Sequence, residues 1–132
     1  MTRLARNATR SAVLAAAVVV GIGAALLPLT AERGEPREIE VVIRGIAFYL
    51  DGASAANPVI RVAPGESIAL TIRNEETGIL HNFAVPDWAA ATPRLRAGES
   101  HRIILTAPRE KGATTYVCTP HAEMMRGTLL VE

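Results

Sequence analysis

From Ile39 to Glu132, no stretch keeps its apolar residues on a 3.6-residue period over helical length; short β-branched runs alternate with turn signals. Ile39-Glu40-Val41-Val42-Ile43 and Ile46 to Leu50 open the series, the second ended by Asp51-Gly52. Val59 to Val62 follows Asn57-Pro58 and stops at Pro64-Gly65-Glu66, a Pro-Gly turn. In Ser67 to Arg73, Ile68, Leu70 and Ile72 alternate onto one face. Leu80 to Val85, His101 to Leu105, Thr114 to Val117 and Thr128 to Val131 make about eight strands, with a short helix expected around Ala89 to Ala91. This is the pattern of an all-β sandwich or barrel. Only 4% of the 132 residues are aromatic, so the core is built mainly from Val, Ile, Leu and Ala.

The first 31 residues follow different rules. Twenty-one uncharged residues run from Ser11 to Ala31, preceded by Arg3, Arg6 and Arg10. A basic start before an apolar run marks a secretory signal peptide, and the run also approaches the ~20 residues of a membrane helix. Ala31 suits a cleavage site but Leu29 does not, so an uncleaved N-terminal membrane anchor is preferred. Residues 1–31 are thus expected to form a signal peptide or hydrophobic anchor helix, residues 32–38 an exposed tether, and residues 39–132 one domain outside the cytoplasm. Residues 32–132 carry eleven Lys/Arg against thirteen Asp/Glu, a net charge of −2. No basic stripe interleaved with aromatics is available for nucleic acid.

One cysteine cannot make an internal disulfide or a four-thiolate metal site. Cys118 stands in Tyr116-Val117-Cys118-Thr119-Pro120-His121-Ala122-Glu123-Met124-Met125-Arg126-Gly127, on the turn between the last two expected strands. A second imidazole, His81, lies 37 residues earlier in Leu80-His81-Asn82-Phe83. Two imidazoles, a thiolate and a weak thioether form the trigonal-plus-axial set that suits copper cycling between Cu(I) and Cu(II). A Cys ending one strand and a His three residues on, across a Pro-containing turn, can address one metal.

This segment resembles the type 1 copper loop of the cupredoxins, the plastocyanin-, amicyanin- and azurin-like blue copper proteins. The resemblance spans about Ile39 to Glu132 and includes Pro64-Gly65-Glu66, His81-Asn82 and Cys-Thr-Pro-His. It implies a Greek-key β-sandwich binding one copper, with His81, Cys118 and His121 as equatorial ligands. Asn82 then ties the two ligand-bearing loops together in support of the thiolate. Two methionines compete for the axial position. Met125-Arg126-Gly127 matches the family's Met-x-Gly, whereas Met124 has the spacing of the shortest loops but lacks a Gly two residues later. Met125 is the preferred axial ligand and Met124 the alternative.

The remaining candidates read more simply. His101 has no soft partner nearby in sequence and is assigned a structural or exposed position. Tyr116 and Phe83 are core residues, Glu123 is a solvated charge, and Trp88 either covers the site or fills a gap. A Cys-His nucleophile needs an orienting group and an oxyanion site, for which about 95 β-rich residues offer no evident cleft. After His81 and His121 only His101 remains, too few imidazoles for a multicopper oxidase or nitrite reductase. The resemblance therefore implies a non-enzymatic, monomeric carrier of one electron, serving a redox protein such as a cytochrome, oxidase or reductase. The alternative is a copper carrier or storage module with the same ligands and no electron-transfer role.

Overall fold

The computed structural model describes residues 34–132. The hydrophobic helix expected within residues 1–31 lies outside the described residues. Among the described residues, no helix is long and apolar enough to cross a membrane.

Nine strands form two mixed sheets: β1 (Arg37–Arg44), β2 (Ala47–Leu50), β3 (Val59–Val62), β4 (Ser67–Asn74), β5 (Ala84–Val85), β6 (Ala90–Ala91), β7 (Ser100–Thr106), β8 (Gly112–Val117) and β9 (Arg126–Val131). One sheet runs β2-β1-β4-β7 and the other β3-β9-β8-β5-β6. The β1–β4 and β3–β9 pairs are parallel, and the remaining ladders are antiparallel.

Each of the eight runs expected from the sequence contains a strand, and three details differ. β1 begins at Arg37, two residues before Ile39, because Arg37 and Glu38 register against Ile68 and Ala69. The run Leu80 to Val85 contributes only Ala84–Val85, since the chain from His81 to Phe83 takes its hydrogen-bond partners elsewhere. The helical turn comes at Pro86–Trp88, and Ala90–Ala91 pairs with β5 as a ninth strand. Proline fixes φ for that turn. Ala89, in the left-handed region at φ 50°, then reverses the chain back onto β5.

The core lies between the sheets. Ile68, Leu70 and Ile72 of β4 are fully buried, as their alternation predicts, and meet Ile60 and Val62 of β3 and Leu129 and Val131 of β9 in one apolar cluster. The few aromatics are concentrated in it. Phe83 and Tyr116 stack at 4.9 Å, and Phe48 meets both edge-on at 5.5 and 5.3 Å. Trp88 packs against this core, partly buried. The Pro64-Gly65 turn needs Gly65 at φ 74° and is closed by Glu66. The Glu66 carboxylate accepts from the Ala63 N–H (2.7 Å) and pairs with Arg37 of β1 (2.6 Å).

Candidate metal centre

β8 ends at Val117, and the next residue is Cys118, whose side chain is fully buried. Thr119, Pro120 and His121 then form a single 3₁₀ turn, with proline at the start where it lacks no needed donor. The turn folds the chain back on itself. His121 N–H donates to the Cys118 carbonyl (2.9 Å), Met124 and Met125 N–H donate to the His121 carbonyl (3.0 and 2.8 Å), and Cys118 N–H donates to the Met125 carbonyl (3.0 Å). The loop from Cys118 to Met125 is therefore closed by its own backbone before β9 leaves it.

His81 arrives from the other side. Its backbone forms an isolated bridge with Leu95, through His81 N–H to Leu95 O (3.2 Å) and Leu95 N–H to His81 O (2.7 Å). The buried Asn74 at the end of β4 fastens this bridge by donating to the carbonyls of Ile79 (3.1 Å) and Leu95 (2.9 Å). Thr92 accepts from Phe83 N–H (3.0 Å) and holds the same segment two residues beyond His81. Asn82 links the two sides: its Nδ2 donates to Thr119 Oγ1 (3.1 Å), and its Oδ1 accepts from Thr119 N–H (2.8 Å). Sequence reasoning identified Asn82 but not Asn74 or Thr92. Their bonds run to the backbone of residues up to 21 positions away and leave no local signature.

These constraints bring three ligand atoms together. One donor atom from each of His81, Cys118 and His121 lies within 4.8 Å of the others. Cys118 Sγ is 3.6 Å from His81 Nδ1 and 3.5 Å from His121 Nδ1. A metal bonded to sulfur at ~2.3 Å and to imidazole nitrogen at ~2.0 Å, with angles near ~110–120°, separates the two donors by roughly 3.5–3.7 Å. The observed spacing fits one ion shared by all three. The second nitrogen of His81, Nε2, is buried without a protein partner, so the polar contact of this ring is made through Nδ1. Met125 is fully buried, whereas Met124 is 58% exposed. His101 stands in β7 opposite Ile72 and takes no part in the group. Glu123 is exposed.

Burial controls the protonation of the ligands. It pushes the Cys118 thiol up, while hydrogen bonds from the backbone of Asn82 and His121, and the nearby Arg94 charge, pull it down. Burial lowers His81, reinforced by the neighbouring His121 and opposed by Glu76. Both effects favour uncharged side chains around the sulfur, leaving an approaching cation to displace the thiol proton.

A family described as copper binding proteins, plastocyanin/azurin family, matches residues 57–132, more than half of the chain. The chain belongs to this family. Copper is its cofactor, and His81, Cys118 and His121 of this cupredoxin form a donor group that fits a type 1 copper site, with Met125 buried in the same loop. Solved structures agree on the fold. Reduced auracyanin from Roseiflexus castenholzii is 24% identical, with a TM-score of 0.58 over 75% of this chain and 99% of its own. Auracyanin A, a "blue" copper protein from Chloroflexus aurantiacus, is 21% identical, with a TM-score of 0.59 over 74% and 99%. A chain of a heme-copper terminal oxidase dimer is 15% identical, with a TM-score of 0.60 over 77% and 68%. A comparison with curated protein sequences finds no match.

Proposed function

We propose that this cupredoxin carries one electron at a time between redox proteins outside the cytoplasm, through copper held by His81, Cys118 and His121, with Met125 in the axial position. Three nitrogen and sulfur donors within 4.8 Å of one another carry the reading. When bound, copper supplies the one-electron Cu(I)/Cu(II) couple, and the chain supplies everything else. The Cys118 thiolate gives a soft, covalent donor and the two imidazoles tolerate both oxidation states. Asn82, bonded twice to Thr119, keeps the His81 and Cys118 segments at fixed separation, so the donors do not rearrange when the charge changes. Full burial of Cys118, His81 and Met125 keeps water from the ligands, while the half-buried His121 offers the route to the surface. Burial also supports Met125 over Met124 as the axial donor, since the 58% exposed Met124 stands among the residues a partner would meet.

The location follows from the basic start and the uncharged run Ser11 to Ala31, which export or anchor the domain. The partner is a redox protein such as a cytochrome, oxidase or reductase, engaged through a small, transient contact. Electron transfer is separated from copper carriage by kinetics. Mixing the Cu(I) protein with an oxidised soluble cytochrome should give millisecond oxidation of the copper and no loss of metal. Slow oxidation, with copper passing readily to a chelating acceptor protein, would instead identify a carrier.

A further inference from the structure

Asn57 is half-buried and adopts the left-handed conformation, φ 49°, just before Pro58. Asparagine tolerates this region better than most side chains. Its hydrogen bonds lead to two different places. With β2 it makes a reciprocal pair: Asn57 N–H donates to the Phe48 carbonyl (2.7 Å), and Phe48 N–H donates to Asn57 Oδ1 (3.0 Å). Its remaining polar group, Nδ2, crosses to the ligand loop and donates to the Met124 carbonyl (3.1 Å), 67 residues away.

The Met124 carbonyl and the Met125 N–H belong to one planar peptide group. The N–H end is fixed within the loop, on the His121 carbonyl at 2.8 Å. Asn57 fixes the other end from β2 of the opposite sheet. A peptide group held at both ends has little freedom to turn about its Cα–Cα axis, and that turn is what would change φ at Met125 and with it the direction in which the side chain leaves the loop.

We propose that Asn57 is a positioning residue for the axial thioether: by holding the Met124–Met125 peptide it sets how closely Met125 approaches the copper, and so tunes the reduction potential. The inference rests on the reading of Met125 as the axial ligand. The hydrogen bonds of Asn57 go to backbone groups of Phe48 and Met124 rather than to a ligand side chain. Its bond to Phe48 makes the aromatic core the reference frame, because the Phe48 ring is wedged edge-on against Phe83 and Tyr116.

Two variants of the full chain separate the parts of the contact. Asn57→Asp keeps the acceptor for Phe48 N–H and the tolerance for positive φ but removes the donor to Met124. In the metal-free protein the Met125 amide should then exchange its hydrogen about fivefold faster, the effect of losing one hydrogen bond, with the β4 amides unchanged. Asn57→Gly removes the side chain without adding charge or backbone strain. In the copper-loaded protein its reduction potential should shift in the same direction as that of Met125→Leu. In the Met125→Leu background, Asn57→Gly should add no further shift, because the atom it positions is gone. Unchanged Met125 exchange, or a potential shift from Asn57→Gly that persists undiminished without Met125, would overturn the assignment. If Met125→Leu alone moves neither potential nor spectrum while Met124→Leu moves both, the axial reading fails first and takes the inference with it.

Discussion

At the scale of single residues, the site is a set of ordinary side chains whose protonation is set by where the fold puts them. Burial raises the Cys118 thiol above its usual value, and the thiol is protonated at neutral pH. Burial, reinforced by the neighbouring His121, lowers His81, which is neutral at the same pH. Copper must replace the thiol proton and meets none on His81. Calorimetry of Cu(I) binding at pH 7.5, in buffers of different ionisation enthalpy, should therefore show about one proton more released per copper than the Cys118→Ser variant releases. The His81 contribution has a definite sign as well. A lowered folded pKa lets His81 stay available as a ligand to a lower pH than a free imidazole, so its own share of the loss of affinity, added to the proton displaced from Cys118, sets in only as pH falls through that depressed value.

Much of this was legible in the residue string, because Cys118, His121 and the Met-x-Gly are consecutive and their spacing is itself the geometry of a turn. His81 was legible through the Asn beside it. The choice between Met124 and Met125 was not settled by spacing. Asn57, Asn74 and Thr92 were not legible at all, because each acts on a backbone carbonyl or N–H, groups that every residue possesses.

At the scale of elements, two contacts explain why small or charged residues stand where they do. Tyr116 of β8 registers directly against Gly127 of β9. A Cβ at Gly127 would lie 2.2 Å from Cζ and the hydroxyl oxygen of that tyrosine. The ring has no room to retreat, being fully buried, stacked on Phe83 and bonded through its hydroxyl to the Pro58 carbonyl (2.6 Å). The glycine of Met125-Arg126-Gly127 is thus required by the tyrosine two residues before the cysteine, on the neighbouring strand. Gly127→Ala should destabilise the domain by about 1–3 kcal/mol in chemical unfolding, the usual cost of overpacking. In a Tyr116→Leu background the same glycine replacement should cost less than it does beside the intact tyrosine.

The second contact is the Glu66 carboxylate, which caps its own turn at Ala63 N–H and pairs with Arg37. The Arg37 hydrogen bond holds Glu66 below the usual carboxylate range, so its contribution is complete above about pH 4.3 and is lost as pH falls through the depressed folded value. Glu66→Gln should be less stable than the parent at pH 7 by no more than about 1 kcal/mol, since the pair is solvent-exposed. The difference should close on acidification below pH 4. A difference that widened there would contradict the assignment. The strands themselves followed from the alternation of Ile68, Leu70 and Ile72 and from β-branched runs. β6 did not, because Ala90–Ala91 has no periodicity and owes its pairing to the left-handed turn at Ala89.

At the scale of the whole domain, two mixed sheets enclose a core that supports the ligands from beneath. The metal group draws on both sheets: His81 is fastened through Asn74 of β4, Cys118 follows β8, and Met125 precedes β9 while Asn57 holds it to β2. A site assembled from so many fixed elements gains little freedom on a change of charge. Cu(I) and Cu(II) crystal structures should therefore superpose at the ligand atoms within coordinate error. This is the property a carrier of single electrons needs and a storage protein does not.

The central claim is that Cys118 would bind copper as a thiolate together with His81 and His121. The visible spectrum of the purified protein after addition of one equivalent of Cu(II) tests it most directly. An intense blue thiolate-to-copper absorption, abolished by Cys118→Ser, is the expected result. A colourless complex, or a colour that survives Cys118→Ser unchanged, would contradict the account.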